Sequence, residues 1–138
     1  MGLRAWLTQL RHRKSLGERG EAAAARYLKR KRYRILARHV DQPLGEIDIV
    51  AVDGRTIVFV EVKTRKSSDA GHPTEAVDDL KQRRLTQAAL TYLKAHGLLQ
   101  YSSRFDVVAV TWPENSRQPA IEHFPNAFAA AGTGQFFS

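Results

Sequence analysis

Gly45-Glu46-Ile47-Asp48-Ile49-Val50-Ala51-Val52-Asp53-Gly54-Arg55-Thr56-Ile57-Val58-Phe59-Val60-Glu61-Val62-Lys63-Thr64-Arg65 is the stretch on which the fold turns. An Asp-Gly pair between two runs of β-branched residues signals a two-residue hairpin loop. Side chains alternate along a strand with period two. With a two-residue loop, opposed residue numbers sum to an odd number. Even positions of the first strand therefore share a face with odd positions of the second. Glu46, Asp48, Glu61 and Lys63 fall on one face by this rule, and Asp48 and Glu61 become opposite or diagonal neighbours. A turn at Gly54-Arg55 keeps the same parity. The rest of the hairpin is apolar on both faces, with Ile47, Ile49, Val58, Val60 and Val62 on one and Val50, Val52, Ile57 and Phe59 on the other. That pattern describes a central strand pair covered on both sides.

Charged side chains are rarely buried unless they are paired or bind metal. Two carboxylates side by side on a sheet repel each other. A divalent cation removes that repulsion, and Mg²⁺ or Mn²⁺ takes oxygen ligands, often one or two carboxylates plus substrate phosphate. Asp48, Glu61 and Lys63 thus read as a metal site for phosphodiester cleavage. The competing reading is that Lys63 neutralises one acid at a sheet edge.

The chain has 138 residues, enough for one domain with a substantial core. Its hydrophobic fraction of 43% is ordinary for a globular protein. It has no cysteine, which excludes disulfide and thiolate-metal chemistry and suits a reducing cytoplasm. No apolar run approaches the roughly 18 residues of a membrane span. The chain reads as soluble and cytoplasmic, with no membrane partner. Net charge is +8, and it is uneven. Residues 1–40 carry twelve Lys/Arg against Glu18 and Glu21, whereas residues 41–138 carry ten against twelve acids. A basic segment joined to a near-neutral domain suits a polyanionic partner.

Residues 1–14 mix Leu3, Trp6, Leu7 and Leu10 with Arg4, Arg11, Arg13 and Lys14, and read as a basic N-terminal arm. Ser15-Leu16-Gly17-Glu18 fits a capping box, so a helix should run to about Lys31. Gly17, Glu21, Ala24 and Leu28 share one stripe of that helix, which puts an acid, Glu21, on its apolar side. Glu21 also suits the helix N-terminus through the macrodipole. Tyr33 to Val40 reads as a first strand, and Lys66 to Pro73 as a polar loop. Thr74 or Asp78 caps a second helix that Gly97 closes. Val77, Leu85, Ala88 and Tyr92 form its stripe, with Leu80, Ala89 and Leu93 alongside and Lys81 on the same side. Arg104 to Thr111 alternates as a strand, with Asp106 as an edge acid. Ala120 to Phe124 makes a short last strand. His39 and His72 lack the spacing of metal-ligand pairs and read as surface or loop residues.

The order is α-β-β-β-α-β, with Glu in the first helix, Asp in the second strand and Glu-x-Lys in the third. This arrangement resembles the PD-(D/E)xK nuclease superfamily, which includes restriction endonucleases and archaeal Holliday-junction resolvases. Within that range it is most similar to the YraN-like bacterial family. The similarity rests on Gly20-Glu21 with Ala24 and Tyr27-Leu28, Gly45-Glu46-Ile47-Asp48, and Val58-Phe59-Val60-Glu61-Val62-Lys63-Thr64-Arg65. Glu75-Ala76-Val77, Lys81, Arg104-Phe105-Asp106-Val107-Val108 and Asn126-Ala127-Phe128 continue it, so it covers about residues 15–128. Two places depart from it. The segment after Arg38 reads His39-Val40-Asp41-Gln42, where the family usually carries an Asn and a further basic residue. Ile47 stands in place of the motif's leading proline.

The resemblance implies an α/β, restriction-endonuclease-like core, a central mixed sheet flanked by helices. It implies one or two Mg²⁺, or Mn²⁺, bound by Asp48 and Glu61 with help from the Val62 carbonyl. It further implies that Lys63 positions or deprotonates the attacking water and that Glu21 holds a metal-bound water. Glu46 is left as a ligand, an outer acid or a hairpin-entry residue. Arg38, Arg65, Lys81 and Arg84 are the candidate contacts to nucleic acid, DNA before RNA, and related resolvases work as dimers. The expected organisation is an arm over 1–14, a nuclease-like domain over 15–128 and a flexible tail over 129–138. The alternative is a nucleic-acid-binding protein that uses the same fold without cutting.

Overall fold

In the computed structural model, Asp53 pairs with Thr56, so the two-residue loop is Gly54-Arg55, with Gly54 at φ 62°. This lies one residue beyond the Asp53-Gly54 position and keeps the expected parity. The structure describes residues 15–66, 71–113 and 116–131. The arm over 1–14, and the expected tail beyond residue 131, lie outside the described residues.

The elements are α1 (Leu16–Arg30), β1 (Arg34–Gln42), β2 (Gly45–Asp53), β3 (Thr56–Arg65), a 3-10 turn (Pro73–Ala76), α2 (Asp79–Ala95), β4 (Ser103–Thr111) and β5 (Ala120–Phe128). They form one five-stranded sheet in the order β1-β2-β3-β4-β5. All pairs are antiparallel except β3 with β4, which α2 joins by a crossover. Parallel neighbours need such a connection, because a tight turn cannot return the chain to the same end. The last strand runs four residues past the expected Phe124.

Each helix covers one face. Leu28 and three alanines of α1 pack on Ile49, Ala51, Val58, Val60, Val108 and Val110. Leu85, Ala88, Ala89, Tyr92 and Leu93 of α2 pack on Val50, Ile57, Phe59, Phe105 and Val107. β2 and β3 are thus covered on both sides, as their composition requires. Ser15 caps α1 by accepting the Glu18 N–H at 3.1 Å, and Asp78, not Thr74, caps α2 through the Lys81 N–H at 2.9 Å. Gly17 and Leu80, expected on the buried stripes, are exposed.

One expected position fails for an instructive reason. Ile47 packs with Val50 and Phe59 under α2, not with Ile49 under α1. On β1, Ala37 and Val40 likewise reach the same cluster although three residues apart. The alternation therefore slips in both strands at the level of His39 and Asp48, which face each other in the β1–β2 register. His39 has φ 55°, a left-handed conformation uncommon outside Gly, Asn, Asp and His. At the same level the pairing of β2 with β3 stops, at Ile49 and Val60.

Asp106 is not an edge acid. It is fully buried on β4, between β3 and β5. Arg104 Nε donates to it at 3.0 Å, the Asn126 N–H at 2.9 Å, and His123 Nε2 lies 2.7 Å away. Burial pushes the Asp106 carboxyl up, but the bonds from His123, Arg104 and the Asn126 N–H together hold it below its ordinary range. Among the described residues, no helix is long and apolar enough to cross a membrane.

Candidate metal centre

The fork between β2 and β3 opens into two adjoining pockets of about 450 and 490 Å³. Both are lined by Glu46, Asp48, Glu61 and Lys81. The second adds Glu21, His39, Val62, Lys63 and Thr64, and the first adds Arg84. The four residues expected to carry chemistry, Glu21, Asp48, Glu61 and Lys63, therefore meet in one cleft.

Each side chain arrives by a different route. Asp48 sits at the kink, where its Oδ2 accepts the Val62 N–H at 2.8 Å. Glu61 follows Val60, the last β3 residue paired with β2, and is buried. Burial, then the neighbouring Glu61 charge, pushes the Asp48 carboxyl up to about 7 despite the Val62 bond. Two acids held side by side in this way repel each other, and the all-oxygen donor set fits a hard divalent cation. Glu21 comes from α1, which lies close to β3 because Gly20 rests on Thr64; a Cβ there would stand 1.8 Å from Thr64 Oγ1. Lys63 is exposed at the mouth and, among the described residues, joins no ion pair.

The cationic residues are more committed than expected. Lys81 Nζ lies 2.5 Å from Glu61 Oε1. Burial opposes the Lys81 charge, but the hydrogen bond and charge of Glu61 hold its ammonium above the ordinary range. Arg38 Nε donates to Glu21 Oε1 at 3.3 Å. Arg65 Nη1 donates to the Gly71 carbonyl at 2.6 Å, and its Nε to Thr111 Oγ1 at 3.4 Å.

His39, read from spacing as a surface residue, is exposed yet belongs to the cleft. Its Nδ1 lies 3.2 Å from Glu21 Oε2 and also contacts Glu46 Oε1. Glu21, opposed by burial and helped by Glu46, holds the imidazole above its ordinary range. Ligand spacing along the chain cannot reveal this residue, because its partners stand on α1 and β2. A signal did exist in the register. Pro43-Leu44 is a second two-residue connection, and continuing the pairing across it sets His39 opposite Asp48.

A mixed five-stranded sheet between two helices, with acids from α1, β2 and β3 and a lysine from β3 at one fork, is a restriction-endonuclease-like core. The chain belongs to the Uncharacterised protein family UPF0102, whose model matches residues 20–110; this is the YraN-like group of the PD-(D/E)xK superfamily. It is 52% identical to a UPF0102 protein of Geobacter metallireducens over 120 residues, 87% of this chain and 97% of the relative. A UPF0102 protein of Geobacter sulfurreducens is 51% identical over 87% of this chain and 93% of its own length. One of Rhodopirellula baltica is 48% identical over 88% and 75%.

Proposed function

We propose that this protein is a metal-dependent endonuclease that hydrolyses phosphodiester bonds in nucleic acid, DNA before RNA. The observation that carries this reading is the meeting of Asp48 and Glu61 at the β2–β3 fork, with the Asp48 carboxyl pushed up to about 7. Such a pair is destabilising by itself, and a divalent cation between the two carboxylates would relieve it.

Asp48 and Glu61, with the Val62 backbone, are the residues that would hold Mg²⁺ or Mn²⁺. When bound, such an ion polarises a phosphoryl oxygen and lowers the pKa of coordinated water. Asp48 is fixed in place by the Val62 N–H. Lys63, exposed at the mouth, would orient the attacking water and offset negative charge developing on phosphate. Glu21, steadied by Arg38, is placed to accept a hydrogen bond from that water. Arg84 lines the cleft and, with Lys81, offers positive charge to the nucleic-acid backbone.

The test is cleavage of branched, nicked and single-stranded DNA by purified protein with Mn²⁺ or Mg²⁺. Strand scission lost in Asp48→Ala and in Lys63→Ala is the expected result. Equal activity in both variants and the parent would reject the assignment. The Lys81–Glu61 ion pair favours a second reading, a nucleic-acid-binding protein that does not cut. That reading expects affinity that falls steeply with salt and is indifferent to Asp48→Asn in metal-free buffer.

A further inference from the structure

We infer that Glu21, His39 and Glu46 form a second divalent-cation site, one with a nitrogen ligand, beside the Asp48–Glu61 carboxylates. The inference concerns ion binding and does not depend on turnover.

Three elements, α1, β1 and β2, each contribute one side chain. Their ligating atoms all lie within 4.8 Å of one another. Neighbouring ligands of an octahedral ion with bonds of ~2.1 Å stand about 3 Å apart. His39 Nδ1 and Glu21 Oε2 are 3.2 Å apart, close to that spacing. The Glu21 side chain is only 7% exposed, and Arg38 engages its other oxygen, Oε1. A partner of this kind fixes the orientation of a ligating carboxylate. The left-handed backbone at His39 brings its ring to the side where Arg38 also meets Glu21; an alternating strand would send neighbours to opposite faces.

The donor set decides which ion. Asp48 and Glu61 offer oxygen alone, which suits Mg²⁺. An imidazole with two carboxylates suits Mn²⁺, Co²⁺ or Zn²⁺ better, because nitrogen ligands favour the later divalent metals. The cleft would then hold two ions of unlike preference, one position served by any hard cation and one selective.

The experiment counts ions. Mn²⁺ is titrated into the chelator-treated full chain by calorimetry and by loss of the free-ion EPR signal. Pulsed EPR then reads nitrogen coupling to the bound ion. The variants are His39→Asn, Glu21→Gln and Asp48→Asn. Asn tolerates the left-handed backbone, so the first removes the ligand and keeps the kink. Thermal melts confirm that each variant folds. Two Mn²⁺ per chain are expected in the parent and one in His39→Asn and Glu21→Gln. His39→Asn loses the nitrogen coupling, and its preference for Co²⁺ over Mg²⁺ falls at least tenfold. Asp48→Asn also binds one ion but keeps the coupling. Parent-like stoichiometry and affinity in His39→Asn overturn the second site, as does an absence of bound Mn²⁺ in the parent. Loss of an ion only in Asp48→Asn leaves the Asp48–Glu61 reading standing alone. Loss only in His39→Asn and Glu21→Gln overturns that reading and keeps this one.

Discussion

The backbone N–H of Val62 donates to the carboxylate of Asp48 at 2.8 Å, across the gap that opens where β2 and β3 stop pairing. The bond takes the place of the next rung of the ladder. It ties Asp48 to the residue that follows Glu61, and so holds two acids together that would otherwise separate.

That arrangement makes the cation-free protein sensitive to pH. The Asp48 carboxyl titrates near 7 when folded, against an ordinary 3.8. The folded state therefore binds more protons than the unfolded one between these values. Its stability from this group is fully present below about 4 and is lost as pH rises through 7. In chelator, Asp48→Asn should melt higher than the parent at pH 8, with the difference closing near pH 4. Coincident melting curves at pH 8 would count against the assigned protonation.

Divalent cations should reverse the penalty. Millimolar Mg²⁺ is expected to raise the melting temperature of the parent at pH 8, and to do so far less in Asp48→Asn combined with Glu61→Gln. An ion at a hundredfold excess over its Kd stabilises by about 2.7 kcal/mol. A shift of equal size in the double variant would place the ion elsewhere.

Lys81 competes with any cation for Glu61. Lys81→Met leaves Glu61 buried without its partner, so the cation-free variant should be less stable than the parent. Its affinity for Mn²⁺ should rise severalfold in calorimetric titration. Weaker binding would mean that Lys81 supports the site instead of competing with it.

Gly20 sets how closely α1 approaches the sheet. Gly20→Ala puts a methyl 1.8 Å from Thr64 Oγ1 and 2.7 Å from Thr64 Cγ2, so the helix must shift. Overpacking of this kind destabilises by roughly 1–3 kcal/mol. Denaturant unfolding reads that loss. The helix shift also moves Glu21, so the variant should bind Mn²⁺ more weakly.

Asp106 tests a structural role. Asp106→Ala leaves His123 buried without that carboxylate, while Arg104 keeps Asp53 and the Tyr33 hydroxyl, and should cost about 3 kcal/mol in equilibrium unfolding. Where the variant remains folded, its Mn²⁺ affinity should match the parent, since Asp106 lines neither pocket of the cleft.

The site was legible to different depths. Asp48, Glu61 and Lys63 could be grouped from the hairpin parity, because a two-residue loop transmits register without ambiguity. Glu21 showed as an acid on an apolar helix stripe. His39 showed only through the register across Pro43-Leu44 and not through ligand spacing, since the glutamates it meets stand on other elements. Asp106 was misread because an alternating strand looks the same whether its polar positions face water or a buried arginine and histidine. Ile47 was misplaced because period-two reasoning assumes an unbroken pleat, and the pleat breaks at His39 and Asp48.

The chain's own order of residues determined the helix caps, the β2–β3 hairpin and the double-sided burial of its strands, since these depend on neighbours a few positions apart. Only the three-dimensional packing decided where β2 leaves β3, which cations are already paired, and that an exposed histidine joins two glutamates. Those outcomes depend on α1 meeting β1 and the fork through contacts far apart along the chain, such as Arg38 with Glu21, 17 residues apart. Hydrophobic periodicity carries no information about contacts of that range.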